Sequence, residues 1–226
     1  MSQGYPSRRS FATAIGAALA LTLGSRVASA QRRVATFQPT YHPQDAWLDA
    51  IPGKHRTLID TSTVNGGGTG LLYAYNIYAA NKADYSLPER DVAVVVCFRH
   101  SSTSFGFNDA MWAKYGSTMN KTVQLLDPKT KQAPTTNLFL SVDYGTALPN
   151  YGSTIQDLAK MGTQFAICGM ASRGVAGAIA ADTGQDADAV YRELVANRVP
   201  NSHVVAAGVL AVNRAQEHGY TLLTAL

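Results

Sequence analysis

The chain has two cysteines, Cys97 and Cys168, and the second stands where a thiol could do chemistry. Cys168 closes the short apolar run Phe165-Ala166-Ile167, long enough for a buried strand. Gly169 and Gly174 then bracket a turn that leads into a small-residue helix over residues 175–181. In an α/β sheet, ligands gather at the carboxyl ends of strands. A sulfur at that point, beside the free N–H groups and positive end of a helix, would be stabilised as an anion. The same pattern also fits a cysteine that packs as a small hydrophobe. Arg173 could favour negative charge on Cys168 or bind an anionic ligand, and it fits equally a solvated arginine beside a helix start. Ser172 suits a helix N-cap. It is not the serine of a G-x-S-x-G elbow, because the spacing is off by one.

Cys97 and His100 form a C-x-x-H pair at the end of a second strand. A metal site needs three or four ligands. The others could come only from Cys168, His203, His218 or carboxylates, which the sequence does not place. The reading preferred here packs Cys97 in the sheet and lets His100 line a cleft, with Asn108 and residues 101–107. No cofactor motif is present. The loop Asn65-Gly66-Gly67-Gly68-Thr69-Gly70 lacks the Lys-Ser/Thr of a phosphate loop and the third glycine of a dinucleotide fold. It reads as a flexible entry to a helix.

These residues need a scaffold. Residues 55–61 predict a first strand centred on Leu58-Ile59. Residues 71–82 predict a helix with Leu71, Tyr75 and Tyr78 on one face. The uninterrupted run Val92-Ala93-Val94-Val95-Val96-Cys97-Phe98 reads as a strand buried on both faces, as in a parallel sheet. Residues 105–115 predict an aromatic helix. Residues 117–152 hold turns at Asp127-Pro128 and Ala133-Pro134 and a short strand at Leu138-Phe139-Leu140, and are read as an insertion or lid. Ser153-Thr154 caps a helix to residue 160 that Gly162 ends. After the Cys168 strand come a helix over 186–196, a strand over 201–207, a helix over 209–218 stopped by Gly219, and an edge strand over 220–223. Strands alternating with helices predict one three-layer α/β sandwich with a mostly parallel sheet. Residues 31–54, with Pro39, Pro43 and Pro52, read as an extended arm ending in a short helix.

Charge narrows the function classes. The net charge is +4, but residues 1–30 hold Arg8, Arg9 and Arg26 and no acid, so the remainder carries 16 Lys and Arg against 15 Asp and Glu. Nothing in the body reads as a nucleic-acid or membrane-surface patch. Residues 1–30 have the three parts of a signal peptide. They are a charged start, an apolar stretch over 12–23 and the small-residue site Val27-Ala28-Ser29-Ala30 before Gln31. The apolar stretch is shorter than a membrane span. Ser7-Arg8-Arg9-Ser10-Phe11 resembles a twin-arginine signal. That implies export of an already folded chain to the periplasm or beyond, with no membrane association after cleavage. Cys97 and Cys168 would lie at the same end of the sheet. In neighbouring strands they could approach the roughly 5.5–6 Å Cα separation of a disulfide. Folding before export needs no such bond, so free thiols are expected.

Four stretches together resemble the DsrE/DsrF-like superfamily, in its exported branch. They are Leu71-Leu72-Tyr73-Ala74-Tyr75-Asn76, the Val92 strand through His100, Phe165-Ala166-Ile167-Cys168-Gly169 with Gly174-Val175, and Val199-Pro200-Asn201-Ser202-His203-Val204-Val205-Ala206-Ala207-Gly208-Val209. Gly219-Tyr220 closes the match, which spans roughly residues 55–223 of a domain read as residues 55–226 with an insertion around 117–152. The resemblance implies a flavodoxin-like sandwich that forms homo-oligomers, handles small sulfur species and carries a persulfide on the cysteine matched by Cys168. Arg173 would stabilise the anion and His100 would donate a proton. The alternative is a non-catalytic periplasmic module that binds a small molecule or metal, or acts as a scaffold.

Overall fold

Five parallel strands form one sheet in the order β4-β3-β2-β1-β5. They are β1 (His55–Thr61), β2 (Val92–Phe98), β3 (Gln164–Cys168), β4 (Ser202–Val205) and β5 (Thr221–Ala225). A computed structural model describes residues 38–226. Residues 41–226 form one compact unit, a flavodoxin-like α/β sandwich. The leader over residues 1–30 lies outside the described residues. The helices are α1 (Ala46–Ala50), α2 (Val64–Asp84), α3 (Asp109–Val123), α4 (Ile155–Met161), α5 (Gly169–Thr183), α6 (Ala187–Ala196) and α7 (Gly208–Glu217). Among the described residues no helix is long and apolar enough to cross a membrane.

The strand order dictates the layers. Steps from β1 to β4 run one way across the sheet, so right-handed crossovers put α2 to α6 on one face. The return from β4 to β5 puts α7 on the other. The alternation of β2 records this. Val92, Val94, Val96 and Phe98 join the larger core with Leu71, Phe105, Trp112 and Ile179. Ala93, Val95 and Cys97 join a smaller core with Leu48, Ile51 and Ala215. Every β2 residue is buried, as the continuous apolar run predicts. The arm's end is part of the second layer. Arg56 donates to the carbonyls of Leu48, Ile51 and Gly53 at 3.1, 3.1 and 3.2 Å, which ties α1 to β1.

Several expectations are corrected. The glycine run is not a flexible entry, because α2 begins at Val64, capped by the Thr63 hydroxyl, which accepts from the Gly66 N–H at 2.8 Å. A β-carbon on Gly66 would overlap the Ala225 carbonyl, and one on Gly70 would lie 2.5 Å from the Thr61 methyl. These glycines are in the helix because sheet and helix touch there. The buried face of α2 uses Ala74 rather than Tyr75, which is exposed. Residues 100–106 are a tight 3-10 segment, and α3 starts only after Asn108, whose side chain accepts from the Met111 N–H. Residues 138–140 turn instead of forming a strand. The 117–152 region, read as an insertion or lid, contributes to both a helix and the core. Its first residues complete α3, and Leu138, Phe139, Leu140 and Leu148 are buried in the larger core.

Candidate functional site

Neighbouring strands whose outgoing connections pass to opposite faces leave a crevice at their carboxyl ends, where α/β sheets bind ligands. Here the chain leaves β3 for the α5 face and leaves β4 for the α7 face, so the crevice lies between them. Cys168 is the last residue of β3 and sits at its mouth. A cleft of about 350 Å³ opens there, lined by Arg99, His100, Cys168, Met170, Gly208 and Val209 among others.

Local sequence fixes the thiol. No turn separates β3 from the helix, because α5 starts at Gly169 and Cys168 is itself the N-cap. Its Sγ accepts from the Ala171 N–H at 3.4 Å. Ser172 therefore does not cap the helix. It is buried in the first turn and its hydroxyl donates to the Cys168 carbonyl at 2.8 Å. A β-carbon at Gly169 would lie 2.8 Å from the Val205 carbonyl, so only glycine lets β4 come this close. Cys168 retains 7% exposure.

Cys97 is a different kind of residue. It is fully buried under α7, its S–H donates to the Gly208 carbonyl at 3.8 Å, and burial pushes its thiol up, helped by the Asp60 charge. Both cysteines are free. They belong to adjacent strands, but Cys97 pairs with Ala166, two residues before Cys168. That offset separates the Cα atoms by about 8 Å, beyond the roughly 7 Å a disulfide spans without backbone movement. The approach to bonding distance that neighbouring strands could have allowed does not occur, and the thiols are free as expected.

The remaining candidates divide. His100 lines the cleft, is exposed, and has φ 53°, a conformation non-glycine residues adopt rarely. Arg173 lies outside the Cys168 cleft, in the adjoining one that contains Tyr191 and residues 204–206. Its guanidinium stacks 4.0 Å from the Tyr191 ring and pairs with Asp188 at 3.4 Å. Asn108 and residues 102–107 do not open onto the cleft, because the 3-10 segment is buried and Asn108 caps α3. His203 stacks on Trp47 at 4.2 Å and bonds to Gln164, and His218 pairs with Asp49 at 2.9 Å. Both hold α1 and its neighbours together instead of facing Cys168. Among the described residues no three His, Cys, Asp or Glu side chains gather as a metal site would require.

Sequence reasoning missed one pair. Arg99, at the end of β2, donates from Nε and Nη2 to the two carboxylate oxygens of Asp60 at 2.6 and 2.7 Å. Asp60 stands on β1, in register with Cys97. The available signal was a carboxylate directly after Leu58-Ile59 inside an apolar strand, which requires a partner when buried. A comparison with known protein families and with curated proteins finds no match to this chain.

Proposed function

We propose that this is an exported sulfur-handling protein of the DsrE-like kind, in which Cys168 accepts a sulfane sulfur. The observation that carries the reading is the Cys168 sulfur itself. It lies at the N-terminus of a 15-residue helix and lines a cleft shared with Arg99 and His100. The Ala171 N–H in the first turn of that helix donates to the sulfur. With a polysulfide anion, the Cys168 thiolate attacks the terminal sulfane sulfur. The bond from that sulfur to the rest of the chain breaks, and its electron pair leaves with the shortened chain. The product is a Cys168 persulfide, and no external oxidant or reductant is consumed. In this reading His100, which lines the same cleft, protonates the departing chain.

The test is a time course of iodoacetamide labelling on folded protein, read by peptide mass spectrometry. Cys168 should be alkylated well before Cys97, and supplied polysulfide should add one sulfur atom to Cys168 alone. Equal protection of both cysteines overturns the reading and leaves a non-catalytic binding module in its place. Export by the twin-arginine route is part of the proposal. Replacing Arg8 and Arg9 together by Lys should retain the protein in the cytoplasm, and unchanged export would refute that part.

A further inference from the structure

We propose that Arg99 selects the substrate of the Cys168 cleft, and that what it selects is an anion. This rests on the reading of Cys168 as the reacting thiol and adds to it the charge class of the sulfur donor.

Arg99 is held as a recognition residue would be. The fork contact with Asp60 occupies Nε and Nη2, which fixes the guanidinium plane. Nη1 has no hydrogen-bond partner among the described residues. The stem is pinned from the other side, because a β-carbon at Gly208 would overlap the Arg99 Cβ and lie 3.0 Å from its Cδ. Only glycine lets α7 begin this close. The two charges are not presented equally. The Asp60 side chain is 9% exposed and that of Arg99 is 25% exposed, so the acid sits behind and the guanidinium faces outward. Arg99 and Cys168 line the same cleft and lie within electrostatic reach of each other. None of the residues lining the cleft is Asp or Glu. An anion entering it therefore meets a fixed donor and no opposing carboxylate. Because Asp60 offsets the formal charge, the selection is directional and comes from the Nη1 donors.

Two alkylating reagents of similar size and opposite character test this. Iodoacetate carries a carboxylate, and iodoacetamide is neutral. Both attack the same sulfur, so the thiolate fraction cancels in the ratio of their rates. The ratio at Cys168 of the full chain, divided by the ratio for a small free thiol, should be about ten or more, the effect of one charge-assisted contact. In Arg99→Gln it should fall to about one, although His100 remains. The single variant leaves Asp60 without its partner, so the double variant Asp60→Asn/Arg99→Gln is measured beside it and should give the same ratio with a native circular dichroism spectrum. Inorganic sulfate should slow labelling of the wild type and not of the double variant. A wild-type ratio of one or less, with Cys168 reactive, overturns this inference and leaves the sulfur-acceptor reading intact. Protection of Cys168 from both reagents overturns the two together.

Discussion

The same substitution, glycine to alanine inside a helix, should have opposite signs at two positions. At Gly177 in α5 an added β-carbon meets nothing within 4 Å. The change then brings only the better helix propensity of alanine, up to about 1 kcal/mol. At Gly70 in α2 the β-carbon would lie 2.5 Å from the Thr61 Cγ2. That methyl cannot swing away, because the Thr61 hydroxyl donates to the Cys97 carbonyl at 2.8 Å and bonds to Ser102 at 3.0 Å. Overpacking a rigid site costs about 1–3 kcal/mol, and the propensity gain offsets only part of it. Gly70→Ala should lose up to about 2 kcal/mol on balance. Both variants share the propensity gain, so they differ by the overpacking cost, and at about 2–4 °C per kcal/mol for a chain of this size their Tm values should differ by roughly 2–12 °C. Thr61→Ser removes the obstructing methyl and keeps the hydroxyl, so Gly70→Ala should be harmless in that background. Calorimetry on the four proteins of the Gly70/Thr61 cycle, with Gly177→Ala beside them, reads the result. Additive effects at Gly70 and Thr61, or stabilisation by Gly70→Ala, would refute the claim that close helix–sheet contact is why these glycines are there.

Burial first, and then the charge of Arg198, hold the His203 imidazole below its ordinary value. The folded state resists protonating it, so its contribution to stability is full above about pH 6.5 and is lost as the pH falls below that. Trp47 stacks on this ring, so in a Trp112→Phe background its fluorescence should titrate below pH 6.5, and His203→Gln should abolish the titration. Arg56→Lys keeps a positive charge but cannot bridge three carbonyls, and it should lower stability by about 2 kcal/mol through lost charge-assisted hydrogen bonds. Limited proteolysis should then cut near residues 43–53, and a urea midpoint equal to that of the wild type would count against the clamp.

What was readable in the sequence follows from what is local. The β2 strand announces itself because burial on both faces leaves no polar residue between Val92 and Phe98. The stops at Gly162 and Gly219 were legible because both take positive φ, which glycine adopts without strain. Cys168 at a strand end was legible for the same local reason. The start of α2 was not, because four glycines among residues 66–70 speak for a loop, and only contacts with Ala225 and Thr61 explain them as helix. The start of α5 was hidden likewise by Gly169, whose reason is the Val205 carbonyl on another strand. The Asp60–Arg99 pair joins residues 39 positions apart, so no spacing rule reaches it. The cleft depends on β4 lying beside β3, and strand order is not written in any one stretch.

The pairing of β1 with β5 has a consequence in time. Thr57 is matched with Thr221 and Thr61 with Ala225, so one side of an inner strand is supplied by residues 164 positions downstream. While the chain is being made, β1 can pair with β2 but presents its other side as an open edge, and Gly66 waits for the Ala225 carbonyl it will meet. Domains form as units during synthesis, and non-local strand pairing is the slow part. The sheet therefore cannot close until β5 has been made and is free to pair with β1. A transport route that accepts only folded chains would receive this protein only once β5 has paired with β1. Removing residues 221–226 should give a chain that such a route rejects, even with residues 1–30 and Cys168 both in place.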